Sequence, residues 1–183
     1  MNEIHNLLDR IELTHDVRIL YACESGSRAW GFASPDSDHD IRFIFVRPGN
    51  SYLSVMDGLD SIELPLEGEL DAGGWDVRKA LRLLGKSNGA LVEWLHSPIV
   101  YRESPGFRSR WREVARTVFS PRASSDHYRG LAKQMVLGKL DGEAVRAKDY
   151  LYALRAALSA GWVAAGKGIP PVPFPELVPT APE

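Results

Sequence analysis

Asp38-His39-Asp40 leads straight into Ile41-Arg42-Phe43-Ile44-Phe45-Val46, and that junction restricts the possible folds more than any other stretch of the chain. Ile41 to Val46 reads as apolar on both faces, which suits a strand covered on both sides, so it belongs in the middle of a sheet. Side chains alternate along a strand, so Asp38 and Asp40 project to the same side. Two carboxylates that close repel each other unless a divalent cation sits between them. Upstream, Gly26-Ser27-Arg28-Ala29-Trp30-Gly31 supplies a turn whose glycine lets backbone N–H groups approach a phosphate. A phosphate-cradling turn beside a metal-binding carboxylate pair fits the chemistry of nucleotidyl transfer.

Gly-Ser, a spacer and then Asp-x-Asp on a strand is the pattern by which this sequence resembles the DNA polymerase beta-like nucleotidyltransferase superfamily. Further blocks are similar to a small bacterial and phage family of predicted nucleotidyltransferases associated with RNA ligases. They are Trp75-Asp76-Val77-Arg78-Lys79-Ala80-Leu81-Arg82-Leu83, Lys86-Ser87-Asn88, Glu93-Trp94-Leu95 with Ser97-Pro98, and Lys148-Asp149-Tyr150-Leu151-Tyr152-Ala153-Leu154-Arg155. The resemblance runs from Ile4 to Pro175 and implies an α/β (α+β) fold: a small mixed sheet flanked by helices, with a C-terminal helical region. It also implies that relatives continue beyond the C-terminal tail seen here, which leaves open how much of the acceptor site this chain carries.

The local patterns divide the chain accordingly. His5–Thr14 reads as a helix, Val17–Cys23 as a strand, Ser25–Trp30 as a loop or short helix, and Ile41–Val46 as a strand ended by Pro48-Gly49-Asn50. Ser61–Asp71 reads as one or two strands interrupted near Pro65 and Gly68. Helices are expected from Val77, from Asn88 through His96, from Ser104 through Phe119, from Ser124 through Leu140 and from Glu143 through Lys167, with a short strand at Ile99–Tyr101. The resulting division is a catalytic core over 1–101, a helical region over 102–168 and a tail over 169–183. That tail holds six prolines, so it is expected to run extended over the surface.

Asp76 is a preferred N-cap type before the apolar stripe Val77, Ala80, Leu81, Leu84. A cap carboxylate is occupied by backbone N–H groups, so Asp71, at the end of the preceding strand, is the better third carboxylate. The family resemblance puts that residue in the same place; Glu69 is the reserve and Asp76 the alternative. The resulting metal set is Asp38, Asp40 and Asp71, holding Mg²⁺, or Mn²⁺ in its place. Gly26 and Ser27 would meet the triphosphate. Arg42, on the face of Asp40, would contact phosphate or orient the carboxylates. Arg28 reads either as a phosphate contact or as a partner of Asp36 or Asp38. His39 is expected to point away from the metal face, and His15, His96 and His127 show no zinc spacing.

Lys148, Tyr152 and Arg155 fall at helical spacing on one face, beside an apolar stripe of Leu151, Leu154, Leu158 and Trp162. Residue pattern alone reads them as a solvated face. The resemblance shifts the reading toward Lys148 and Arg155 on triphosphate and Tyr152 stacking on a base or sugar. The basic side of the helix from Val77 (Arg78, Lys79, Arg82, with Lys86) reads as a solvated face in preference to an RNA-backbone contact.

The chain has 183 residues, 44% of them hydrophobic, enough for one good core. It lacks a long apolar run and an N-terminal signal core, and its single cysteine, Cys23, lies in an apolar strand. These features exclude an internal disulfide and point to a core thiol and a cytoplasmic protein. A net charge of −2 does not advertise a broad nucleic-acid surface. The expected activity is transfer of an NMP from an NTP to an acceptor hydroxyl. An RNA end is the leading acceptor, and an RNA-ligase partner is implied by the resemblance. Transfer to a protein or small molecule, a non-catalytic nucleotide-binding or regulatory module, and an RNA-binding adaptor are the alternatives.

Overall fold

The β-forming run after Asp38 becomes the middle of a five-stranded sheet. In this computed structural model, which describes residues 2–56, 58–140 and 145–178, the strands are β1 (Arg18–Glu24), β2 (His39–Val46), β3 (Ser61–Glu63), β4 (Leu70–Asp76) and β5 (Val100–Glu103), in the order β3-β4-β2-β1-β5. β2 lies antiparallel to β1 and parallel to β4. The sheet is therefore mixed, and its centre is covered on both faces.

One face packs on α1 (Asn2–His15), whose Ile4, Leu7, Leu8 and Ile11 meet Ile19, Ile41, Phe43 and Phe45. The other face carries Tyr21, Cys23 and Ile44 against α3 (Val77–Gly85), α4 (Gly89–His96) and α5 (Phe107–Val118). Each fully buried side chain of this size contributes roughly 1.5–3 kcal/mol. The short α2 (Gly26–Trp30) follows β1 at its C-terminal end, and α6 (Pro121–Lys139) and α7 (Ala147–Ala164) pack on each other. Cys23 is fully buried, and burial pushes its thiol up to about 12. Among the described residues, no helix is long and apolar enough to cross a membrane.

Several boundaries differ from the sequence reading. The stretch expected to end as strand at Asp71 forms β3 at its start, and a new strand begins at Leu70 and runs on to Asp76. Gly73 and Gly74, which look like breakers, make room: a Cβ at Gly74 would collide with the Phe43 ring, and one at Gly73 with the Glu63 carboxylate. The core extends past residue 101, because β5 reaches Glu103 and Phe107 and Ala115 of α5 join the second core cluster. α6 starts at Pro121 rather than Ser124, since Ser120 caps it by accepting from Ala123 N at 3.3 Å. Glu143, the expected start of the last helix, lies outside the described residues. Over 169–178 the proline-rich segment is docked rather than simply extended over the surface: Val172 and Leu177 are buried, and Phe174–Glu176 forms a short 3-10 turn; 179–183 of the expected tail lie outside the described residues.

Candidate active site

β2 and β4 pair Asp40 with Asp71 in register, so both side chains stand on one sheet face at one end of the sheet. Two residues along β2, Arg42 spans them. Its Nη2 donates to Asp71 Oδ2 at 2.7 Å and to Asp40 Oδ1 at 3.2 Å, and its Nη1 donates to the Asp71 carbonyl at 3.2 Å. Burial pushes the Asp40 carboxyl above the usual carboxylate range. Arg42 opposes that rise, while the charges of Asp71 and Glu24 add to it. The hydrogen bond from Arg42 holds Asp71 below that range, against burial. The two carboxylate charges stand close enough to oppose each other's ionisation, and Arg42 only partly offsets this and the burial at Asp40.

The glycine-serine turn abuts this pair. Gly26 has φ +59°, and a Cβ there would collide with the Asp40 carboxylate, so backbone conformation and close approach both demand glycine. Ser25 N donates to the Asp40 carbonyl at 2.8 Å. Ser27 is buried, not open to solvent, because α7 reaches over it. The Tyr152 phenol is pushed up first by burial and then by the Asp40 charge, with a hydrogen bond to Ser27 acting the other way. The Tyr152 ring meets Trp30 edge-on at 4.9 Å and Phe32 at 5.7 Å. One turn earlier, Lys148 Nζ donates to Ser37 Oγ at 3.4 Å. Arg28 pairs with neither Asp36 nor Asp38 through their carboxylates. It donates to the carbonyls of Ser37 and Asp38, at 2.6 and 3.2 Å, and so ties the loop before β2 to α2.

The structure thus brings together Asp40, Asp71, Arg42, Gly26, Ser27 and Tyr152, with Lys148 at their edge. Asp38 precedes β2 and is exposed. Among the described residues no group of three or more His, Cys, Asp or Glu is arranged to hold a metal ion. Asp71, and not Asp76, stands beside Asp40: Asp76 is buried on the opposite face, where its carboxylate accepts from Arg78 N at 2.8 Å and from the Tyr52 hydroxyl at 2.7 Å. Glu69 contributes a backbone carbonyl, which accepts from His39 N at 2.7 Å.

Arg155 requires a correction. Expected on the open face with Lys148, it is 2% exposed and turned inward. It donates to Glu93 Oε1 at 3.0 Å and twice to the Val172 carbonyl at 3.3 Å, with its guanidinium 4.3 Å from the Trp30 ring centre. Of the expected apolar stripe, Leu158 is buried and Leu151 and Trp162 are half-buried, but Leu154 is exposed, and Ala153, Ala156 and Ser159 join the buried side. A long cationic side chain reads as solvated by pattern, but Glu93, which also accepts from Tyr128 and Trp30, supplies the buried counter-charge.

Two acids went unnoticed in the sequence. Glu24 is fully buried at the end of β1; it accepts from Asp40 N at 2.6 Å, hydrogen-bonds His39 Nδ1 at 2.8 Å and accepts from the Tyr101 hydroxyl. An acid ending an apolar strand just before the glycine-serine turn was the available signal. Glu63 of β3 pairs with Gly73 and places a further negative charge near Arg42.

Carboxylate oxygens are the right donor type for a hard divalent cation. The Asp40–Asp71 pair fits one, with Asp38 the remaining candidate ligand. The chain matches the RNA repair pathway DNA polymerase beta family over residues 1–183. A protein of Bacillus subtilis (strain 168), "Uncharacterized protein YcgL", is 45% identical over 171 residues; the match covers 93% of this chain but only 66% of that protein's length. A crystal structure of a nucleotidyltransferase-like protein from Exiguobacterium sibiricum 255-15 is similar over 89% of this chain and 58% of that one, with a TM-score of 0.39 and 10% identity, too loose a likeness to carry an argument. The whole-length match, with the Gly26-Ser27 turn packed against a carboxylate pair on adjacent strands, places the chain in the RNA repair pathway DNA polymerase beta family, among the DNA polymerase beta-like nucleotidyltransferases.

Proposed function

We propose that this chain is a Mg²⁺-dependent nucleotidyltransferase that moves an NMP from an NTP to an acceptor hydroxyl, with an RNA end as acceptor. One observation carries the reading: Asp40 and Asp71 stand in register on adjacent strands, bridged by Arg42, against the Gly26-Ser27 turn. The acceptor oxygen forms a bond to the α-phosphorus as the bond to the β-phosphate bridging oxygen breaks, releasing pyrophosphate. Such a transition state needs positioning and charge neutralisation more than covalent help.

Asp40 and Asp71, with Asp38 swung in from solvent, would hold Mg²⁺ or Mn²⁺. The chemistry such an ion would supply there is activation of the attacking hydroxyl and neutralisation of the departing phosphate charge. Gly26 N–H, the Ser27 hydroxyl and Lys148 would take the β- and γ-phosphates, which requires Tyr152 to lift from Ser27 or to stack on the incoming nucleoside. Asp71, its side chain 40% exposed against 29% for Asp40, is the carboxylate open to receive the acceptor proton. Cytoplasmic RNA repair alongside an RNA ligase is the setting in which this activity makes sense.

A nucleotide-binding module without chemistry is the second reading. It draws on Arg42, which already offsets both carboxylates. The test is to give the protein NTP labelled at the α-phosphate, Mg²⁺ and cellular RNA, with Asp40→Asn in parallel. Mg²⁺-independent nucleotide binding with no NTP consumed on any acceptor would favour the second reading.

A further inference from the structure

Charge is distributed unevenly over this molecule. The chain as a whole is at −2. Yet Lys and Arg number three in α3, four in α5 and four in α6, against only Glu113 and Asp126 in those three helices. The concentration is sharpest on α5, where Arg108, Arg112 and Arg116 recur at four-residue spacing and so share one side of the helix. Like charges at that spacing repel. Acids offset little of it: Arg108 reaches Glu103 at 3.4 Å, and Arg112 Nε donates to a backbone carbonyl, Leu95 O, at 2.6 Å.

The C-terminal end of this ridge opens into a groove of about 530 Å³ between α4, α5 and the proline-rich segment, lined by His96, Arg116, Trp162 and Lys167 among others. Lys167 sits 5.0 Å from the Trp162 ring centre, so a cation and an aromatic face lie side by side. His96 Nδ1 lies 2.9 Å from the Val92 carbonyl. A carbonyl only accepts, so Nδ1 carries the proton and Nε2 is left as an acceptor. Phosphate cations, a stacking face and a neutral imidazole acceptor are what a single-stranded ribonucleotide offers partners to: phosphodiester, base and 2′-hydroxyl. The groove also lies at the correct end of the molecule. Ser97, next to His96, donates to the Glu24 carbonyl at 2.6 Å, and Glu24 holds Asp40 N.

We infer that the α5 ridge and the His96–Trp162–Lys167 groove bind single-stranded RNA and deliver its end to the Asp40 side of the sheet. This rests on the reading of RNA as acceptor, and extends it to a binding surface that lies outside the carboxylate site. Phosphates lie along Arg108, Arg112, Arg116 and Lys167, a base stacks on Trp162, and His96 Nε2 accepts from a ribose 2′-hydroxyl. Glu176 lines the same groove and opposes the phosphates.

The test is fluorescence anisotropy of a labelled single-stranded oligoribonucleotide with the full chain, without NTP or divalent metal, as KCl is raised. Removing two phosphate contacts in the double variant Arg116→Gln/Lys167→Gln should lower the slope of log affinity on log salt by about 1.4, at about 0.7 per contact. Glu176→Gln should tighten binding, and Trp162→Ala should weaken RNA while leaving inorganic polyphosphate unaffected. The deoxy form of the same oligonucleotide should bind less well, and His96→Phe should erase that difference. Arg10→Gln, on the α1 side, should behave as the parent.

An unchanged salt slope in the double variant, or a parent protein that does not bind RNA, overturns the inference. Equal loss of RNA and polyphosphate with Trp162→Ala overturns the stacking assignment. Asp40→Asn is expected to bind RNA as the parent does. RNA binding without any nucleotidyl transfer would therefore sink the proposed reaction and leave the surface standing, whereas transfer by a protein whose groove variants bind RNA normally would do the reverse.

Discussion

Asp40 is fixed from three sides: its N–H donates to Glu24, its carbonyl accepts from Ser25 N, and its carboxylate takes Arg42. Substitution of the carboxylate should therefore remove chemistry and spare the fold. Asp40→Asn is expected to cut nucleotidyl transfer by at least about a hundredfold, the scale of losing one electrostatic stabiliser. Its urea midpoint should be unchanged or higher, because burial and the Asp71 charge both penalise this carboxylate. A clear drop in midpoint would make Asp40 a structural residue. Gly26→Ala should behave in the opposite way, losing stability by about 1–3 kcal/mol for the left-handed backbone alone and more for the clash with Asp40; a variant as stable as the parent would contradict the geometry. At this scale the sequence was readable wherever the signal was local. Gly26-Ser27 and Asp40 were visible because their meaning lies in neighbouring residues. Glu24 was not, because Asp40 N and Tyr101, which define it, are distant in the chain.

At the scale of elements, α7 does two jobs with one helix. Its outer turn brings Lys148 and Tyr152 to the glycine-serine turn, while its inner face locks Arg155 to Glu93 of α4 and to Val172. Lys148→Ala is expected to weaken NTP binding by roughly 1.5–3 kcal/mol, the scale of a hydrogen bond to a charged group, with stability unchanged. Arg155→Ala should instead cost about 3–5 kcal/mol of stability, as breaking a buried ion pair does. Chemical denaturation beside NTP titration separates the two, and a destabilised Lys148 variant with a stable Arg155 variant would invert the assignment. The C-terminal end of α4 carries a pH dependence. Burial, together with the charges of Arg112, Arg116 and Arg108, holds His96 below its ordinary 6.5, against the bond to Val92 O. The unfolded chain therefore takes up this proton first. The stability His96 contributes is complete above about pH 6.5 and is lost as pH falls through the lowered folded value. His96→Gln should flatten the stability curve in that window; an unaltered curve would show that His96 is not the group responsible. Helix existence is legible from periodicity, whereas the full length of β4 is not, because Gly73 and Gly74 answer to Glu63 and Phe43 respectively, partners on other strands.

For the whole molecule, the sheet's two covered faces followed from an apolar central strand. Beyond residue 101, α5 packs on the sheet and a docked proline-rich segment closes over Arg155. Net charge hid a basic helical side, since composition sums over surfaces that the fold separates. What unites these levels is one claim: the carboxylate end of the sheet, with the turn against it, performs nucleotidyl transfer. The most direct measurement uses one NTP labelled at the α-phosphate and the same NTP labelled at the γ-phosphate, each incubated with Mg²⁺ and RNA, for the parent and Asp40→Asn. The account predicts that α-label appears on the acceptor with matching release of pyrophosphate, that γ-label never does, and that Asp40→Asn transfers neither. Transfer of γ-label, or α-label transfer that survives in Asp40→Asn, would contradict it.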